Sequence, residues 1–204
     1  MTNDDLKTDK QKRLLDSGFK LFTENGIVNT SIQNIVDQAK MAKGTFYLYF
    51  KDKYELRDVL IARKSKRLFN DAIKSLKKNY IENFEDQIIY IINYVIDELT
   101  KNQLLLSFIS KNLSWGVYHE TLVKIYDKNE PEKDAFNELR DMFMDGVNNN
   151  NIKLKNPDVT LFMIIELVSA TAFNAITYKK PLPIEEYKPY LYSTIRLMLR
   201  NEEK

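Results

Sequence analysis

The side chains best placed to do chemistry stand in one run of eight, Lys43-Gly44-Thr45-Phe46-Tyr47-Leu48-Tyr49-Phe50. At helical spacing Phe46 and Phe50 lie four apart and anchor one face. Lys43, Thr45, Tyr47 and Tyr49 fall largely elsewhere and offer an ammonium, a hydroxyl and two phenols. Gly44 leaves bare backbone near the helix start, where a phosphate or the edge of a base can approach. Apolar anchors behind and short polar or aromatic donors in front are what a helix needs to enter the major groove of DNA. The same spacing suits a tyrosine-rich amphipathic helix in a packed domain, and spacing alone does not separate the two.

Little other chemistry is available to this chain of 204 residues. Cysteine is absent, which removes disulfides, thiolate catalysis and Cys-ligated metals. The one histidine, His119, excludes sites built from several imidazoles, and beside Glu120 it reads as a surface pair rather than a metal cage. A carboxylate-bridged di-metal bundle needs Glu-x-x-His pairs, and no Glu stands three residues before His119. Five glycines leave no room for a phosphate-binding glycine loop. No catalytic residue, metal or cofactor is therefore expected, and with neither an apolar leader nor a long uncharged apolar stretch the reading is a cytoplasmic protein without a membrane partner. Charge is uneven: residues 1–80 carry 17 Lys/Arg against 10 Asp/Glu, residues 81–204 carry 14 against 19. A basic first part suits a polyanionic partner, though Lys-rich solvated helices give the same count.

The elements that must position the run are helical almost throughout. The spacing predicts a first helix opening on a capping box at Thr8-Asp9-Lys10-Gln11 and stopping at Asn25-Gly26, with Gly26 left-handed. A second helix opens on another capping box, Thr30 to Gln33, and ends near Lys40; a third runs from Lys43 to about Phe50. Asp52 then caps a long helix reaching residue 78. Further helices are expected at about 84–101, 104–126, 132–148, 157–178 and 185–200, with Pro157 at a first helical position and Pro189 either starting or kinking the last one. The expectation is an all-α chain: a helix-turn-helix at about 31–50 within a head of residues 8–68, joined by the long helix to a body of residues 69–204.

Leu14 to Leu60, and above all LFTENGIVNTSIQNIVDQAKMAKGTFYLYFKDKYEL, resembles the DNA-binding domain of the TetR (tetracycline-repressor-like) family of bacterial transcription regulators. The landmarks are Leu21-Phe22 with Gly26, Thr30 before Gln33, the run from Lys43 to Phe50, and Lys53 with Leu56. The resemblance implies that Thr30, Tyr47 and Lys53 meet phosphates, that Lys43, Gly44 and Thr45 meet bases and backbone, and that Tyr49 faces the groove. Two residues depart from the family pattern. Lys40 stands where a turn glycine is usual, which implies a left-handed non-glycine residue at a cost of about 1 kcal/mol. Ala42 stands where a Ser or Thr often caps the recognition helix. With one Lys and no Arg facing the groove, specificity is expected to lean on thymine methyls, phosphate register and DNA shape.

The resemblance also implies that the C-terminal part encloses a cavity for a hydrophobic or aromatic small molecule and pairs as a homodimer on an operator in double-stranded DNA. Candidate pocket residues are Tyr94, Phe108, Trp115, Tyr118, Phe143, Phe162 and Glu166. Aromatics at helical spacing serve equally as core, and Glu166 can be paired, neutral against a ligand, or on an exposed strip. Leu161, Ile165, Val168 and Ala172, with Leu191, Ile195, Met198 and Leu199, are expected to form the dimer seam as a four-helix bundle. The reading is a repressor released by its effector; the alternative is a DNA-bound adaptor that recruits a protein partner.

Overall fold

The computed structural model describes residues 3–109 and 135–200, which form helices and short connections. In order these are α1 (Asn3–Asn25), α2 (Ile32–Ala39), α3 (Lys43–Tyr47), α4 (Lys53–Lys78), α5 (Phe84–Lys101), α6 (Gln103–Ile109), α7 (Ala135–Asn149), α8 (Pro157–Thr177) and α9 (Ile184–Met198). No strand occurs among the described residues, so the fold is all-α with an N-terminal helix-turn-helix. Trp115, Tyr118 and His119 lie outside the described residues.

Local chemistry explains most boundaries. α1 runs on from Asn3, so Thr8 sits inside a helix rather than at its cap. Gly26 ends it at φ +75°, a conformation glycine adopts without cost. The cap of α2 is Ser31, not Thr30: Ser31 Oγ accepts from the Asn34 amide, and the Asn34 side chain accepts from the Ser31 amide. Lys40 closes α2 in the left-handed region at φ 55°, ψ 53°, the conformation the turn imposes although its side chain disfavours it. Substituting Lys40→Gly is expected to raise stability by about 1 kcal/mol, seen as a higher denaturant midpoint at unchanged slope. α3 starts from Ala42 without a side-chain cap and gives way to a looser turn after Tyr47, short of Phe50. Asp52 caps α4 by accepting from the Tyr54 and Glu55 amides, both at 2.9 Å.

α4 joins the two parts of the molecule. Its buried side chains run from Leu56 to Leu76, packing first on α1 and then on α5, α6 and α7. Close approach to α1 depends on Gly18, where an added Cβ would lie 2.4 Å from the Leu56 side chain. α6 returns to the head: Phe108 stacks on Phe22 at 6.4 Å between centroids and meets Phe19 edge-on at 5.2 Å. α9 begins at Ile184, with Pro189 inside it and exposed. A polar network ties it to α5: Lys188 donates to Asp97 (2.7 Å) and Glu185 (2.8 Å), and Tyr192 donates to Asn93 (2.7 Å), which itself donates to Asp97. Burial pulls the Lys188 ammonium down, but its two carboxylate partners outweigh it and raise its pKa overall.

Candidate nucleic-acid interface and effector region

α3 sorts its side chains sharply. Phe46 and Phe50 are fully buried against the head, with ring centroids 5.7 Å apart. Lys43 and Gly44 are exposed, Tyr47 is 54% exposed, and Thr45 and Tyr49 are half-buried. Burial raises the Tyr49 phenol above its ordinary pKa. A Cβ added to Gly44 would meet nothing within 4 Å, so no neighbour inside the protein demands glycine there. Ala42 brings no side-chain acceptor to the start of α3, leaving its first amides to water or to a phosphate. The exposed side of α3 is therefore a cationic, phenolic and partly bare surface on a rigid apolar base.

Two residues expected at phosphates are occupied elsewhere. Thr30 is 1% exposed, and its hydroxyl lies 2.8 Å from the Gly26 carbonyl oxygen and 3.2 Å from that of Leu21, where it donates inward. Lys53 Nζ donates to the carbonyl oxygens of Ile27 (2.8 Å), Val28 (3.2 Å) and Thr30 (2.9 Å). Both side chains fasten the connection between α1 and α2 instead of presenting donors to solvent. The spacing hid this because the partners lie 23 to 26 residues before Lys53. Arg13 was missed for the same reason: its guanidinium donates to the Ala39 carbonyl, capping the C-terminal end of α2. Leu48 was missed as well; it is 79% exposed on α3's outer side, and its position within the run was the available signal.

Of the candidate pocket residues, Trp115 and Tyr118 lie outside the described residues, and the other five take different places. Phe108 belongs to the contact with α1, and Phe143 is fully buried against Phe84 at 5.7 Å between centroids. Phe162 is 43% exposed, while Tyr94 and Glu166 are half-buried. What the body does contain is an apolar gap of about 30 Å³ lined by Phe69, Ile88, Ile92, Leu139, Ile164 and Val168, among others, where α4, α5, α7 and α8 meet. A separate open cleft of about 850 Å³ runs between Phe84 and the α7 residues Asp141 and Asp145.

The expected dimer seam needs correction. Leu161, Ile165, Val168, Ala172, Leu191, Ile195 and Leu199 are all at most 6% exposed within one chain, and Met198 is half-buried. The seven buried ones form the core side of α8 and α9 and present almost no surface to a second copy. The opposite side of α8 is also apolar and open, with Val159, Phe162 and Met163 each at least 43% exposed; α9 adds Tyr190 and Leu197. That two-sided apolar character gives α8 a mean hydropathy of 1.8 over its most apolar window. By length and composition it could cross a membrane, yet seven of its side chains are buried against neighbouring helices.

A helix-turn-helix whose third helix turns a bare, cationic surface outward defines a DNA-binding protein. Residues 14–60 match the family described as bacterial regulatory proteins, tetR family. The chain is 26% identical over 188 residues to the HTH-type transcriptional regulator YhgD of Bacillus subtilis (strain 168), covering 88% of this chain and 91% of that one. It is 24% identical over 192 residues to an HTH-type transcriptional regulator of Staphylococcus aureus (strain MRSA252), covering 92% of each. In fold it is similar to RolR in complex with resorcinol (TM-score 0.70, 14% identity, 98% of this chain and 92% of that one). It is likewise similar to FadR of Bacillus subtilis in complex with stearoyl-CoA (TM-score 0.62, 18% identity, 94% and 99%). Residues 14–60 thus carry a DNA-binding helix-turn-helix of the tetR family type, and the chain is similar along about nine-tenths of its length to HTH-type transcriptional regulators.

Proposed function

We propose that the chain is a repressor that binds a palindromic operator as a homodimer and leaves it when an apolar small molecule enters the body. The observation that carries the DNA reading is the outer surface of α3, with Lys43, Gly44 and Tyr47 exposed over buried Phe46 and Phe50. Thr45 and Tyr49 flank that surface. Thr30 and Lys53 act as fasteners of the α1–α2 connection. The head spans residues 8–68 and the body residues 69–204, and the protein works in the cytoplasm.

One short recognition helix gives little affinity, whereas two presented about 34 Å apart read successive turns of the duplex. The open apolar side of α8, with Phe162 and Met163, together with Leu197 of α9, is the surface that covers a second copy. The effector enters where α4, α5, α7 and α8 meet: the gap there is lined by hydrocarbon but holds only about 30 Å³, so these helices must part to admit an aliphatic or aromatic group. Structural neighbours bind stearoyl-CoA and resorcinol, ligands that carry such groups. A 100-fold change in operator affinity asks about 2.7 kcal/mol of differential ligand binding between two conformations.

The test is selection from a randomised duplex library with the full-length protein. A palindromic site bound by two chains is expected, and recovery of no duplex even at low salt would end the reading. Met163→Glu is expected to raise the dimer dissociation constant by at least about tenfold, since a charge on an apolar seam costs well over 1 kcal/mol. Sedimentation that shows an unchanged dimer would move the seam elsewhere.

A further inference from the structure

We infer that Leu48 and Gly44 together form the site that reads a thymine methyl group, once in each half of the operator. This assignment rests on the DNA-binding reading above and adds to it a base-reading residue and the chemical group it reads. Leu48 is 79% exposed, and its backbone (φ −72°, ψ −20°) continues the helical path of α3. It therefore falls one turn after Gly44, on the side opposite the buried Phe46 and Phe50. Its side chain leans back toward the start of the helix, as helical side chains do.

Gly44 supplies the complementary shape. The space where its Cβ would stand is open for 4 Å around, so Leu48 does not fill it. The result is a notch floored by backbone and bounded one turn later by a branched aliphatic side chain. A methyl group meets van der Waals partners on both sides there, while a polar base edge finds no donor in the leucine. Of the four bases only thymine shows a methyl in the major groove. Single exposed leucines are ordinary on protein surfaces and by themselves mean nothing. This one lies on the same outer surface as Lys43 and Tyr47, in a helix with no arginine to pair with guanine. Beside the single ammonium of Lys43, apolar contact is thus a base-discriminating chemistry the surface holds.

The experiment uses the full-length protein and the duplex recovered from the randomised library. Thymine is replaced by uracil one position at a time, which deletes the C5 methyl and nothing else. At one thymine per half-site the wild-type protein is expected to lose affinity about fourfold, the value of burying one methyl-sized group, and about fifteenfold when both half-sites are changed. Leu48→Ala, which alters an exposed side chain, is expected to bind thymine and uracil equally at that position while keeping its response to changes at other positions. Gly44→Ala is expected to lose the same discrimination by filling the notch, although alanine favours the helix. Uracil without effect at every position, or an undiminished thymine preference in Leu48→Ala, overturns the inference and leaves operator binding standing. Failure to recover any duplex overturns the DNA-binding reading itself, and this assignment with it.

Discussion

Lys53→Met is expected to destabilise the protein by about 3 kcal/mol while leaving the salt dependence of duplex binding unchanged. The ammonium has three protons, and each points to a carbonyl oxygen: Ile27, Val28 and Thr30. Charge-assisted bonds contribute about 1.5–3 kcal/mol each, discounted here because the site is half-exposed and water can serve the freed carbonyls. Methionine keeps much of the stem's packing, so the loss isolates the ammonium. A phosphate contact behaves differently: removing one lowers the slope of log K against log salt by about 1 and leaves folding alone. Urea denaturation together with duplex titrations at several salt concentrations separates the two. The expected pattern is a lower urea midpoint, weaker binding and an unaltered slope. A flatter slope at native stability would return Lys53 to the phosphates.

That prediction reverses what the sequence suggested, and the reason is physical. Spacing along one chain reports which residues share a helix side, because 3.6 residues complete a turn. It found the long helix from Lys53 to Lys78, the Asp52 cap and the left-handed Gly26, while the family resemblance pointed to left-handed Lys40 and uncapped Ala42. All of these are decided within a few residues. Lys53 and Arg13 act across 23 to 26 residues, on backbone carbonyls that no side-chain pattern marks. Thr30 shows a subtler failure. Thr and Ser stand side by side at positions 30 and 31, either can cap a helix, and the choice fell to Ser31 because Thr30 is buried and bonded inward.

The body was less legible than the head. α8 is apolar on nearly every side, so periodicity shows no difference between its core side and its open side. Reading the stronger apolar positions as a seam selected the residues that the chain keeps for itself, such as Leu161 and Ile165. Large aromatics misled in the same way. Phe143 is core on Phe84, where Gly146 leaves so little room that an added Cβ would lie 2.1 Å from the ring. The gap that does exist is lined mostly by Ile, Val and Leu, residues too common in helical cores to mark a site.

Phe108→Ala is expected to cost about 3–5 kcal/mol, the usual range for deleting a buried aromatic ring, and to split one unfolding transition into two. Phe108 is 8% exposed, and its principal ring partners, Phe19 and Phe22, belong to α1 of the head. α6 and α4 are the elements of the body side that touch the head, and α4 is continuous through both. Removing the ring weakens the brace that α6 gives α4, and a helix with a weaker brace transmits tilt less faithfully. Cooperative unfolding depends on such contacts between units. Near-ultraviolet circular dichroism reports the packing of aromatic rings, whereas far-ultraviolet circular dichroism reports every helix. The two signals are expected to change together in the wild-type protein and to separate in Phe108→Ala, with Phe108→Leu retaining most of the coupling because it keeps an apolar side chain between Phe19 and Phe22. A loss below about 1 kcal/mol, or coincident transitions in the alanine variant, would show that the Phe108 ring does not couple head to body. A ligand in the apolar gap would then act on the recognition helix through the tilt of α4 without help from that ring.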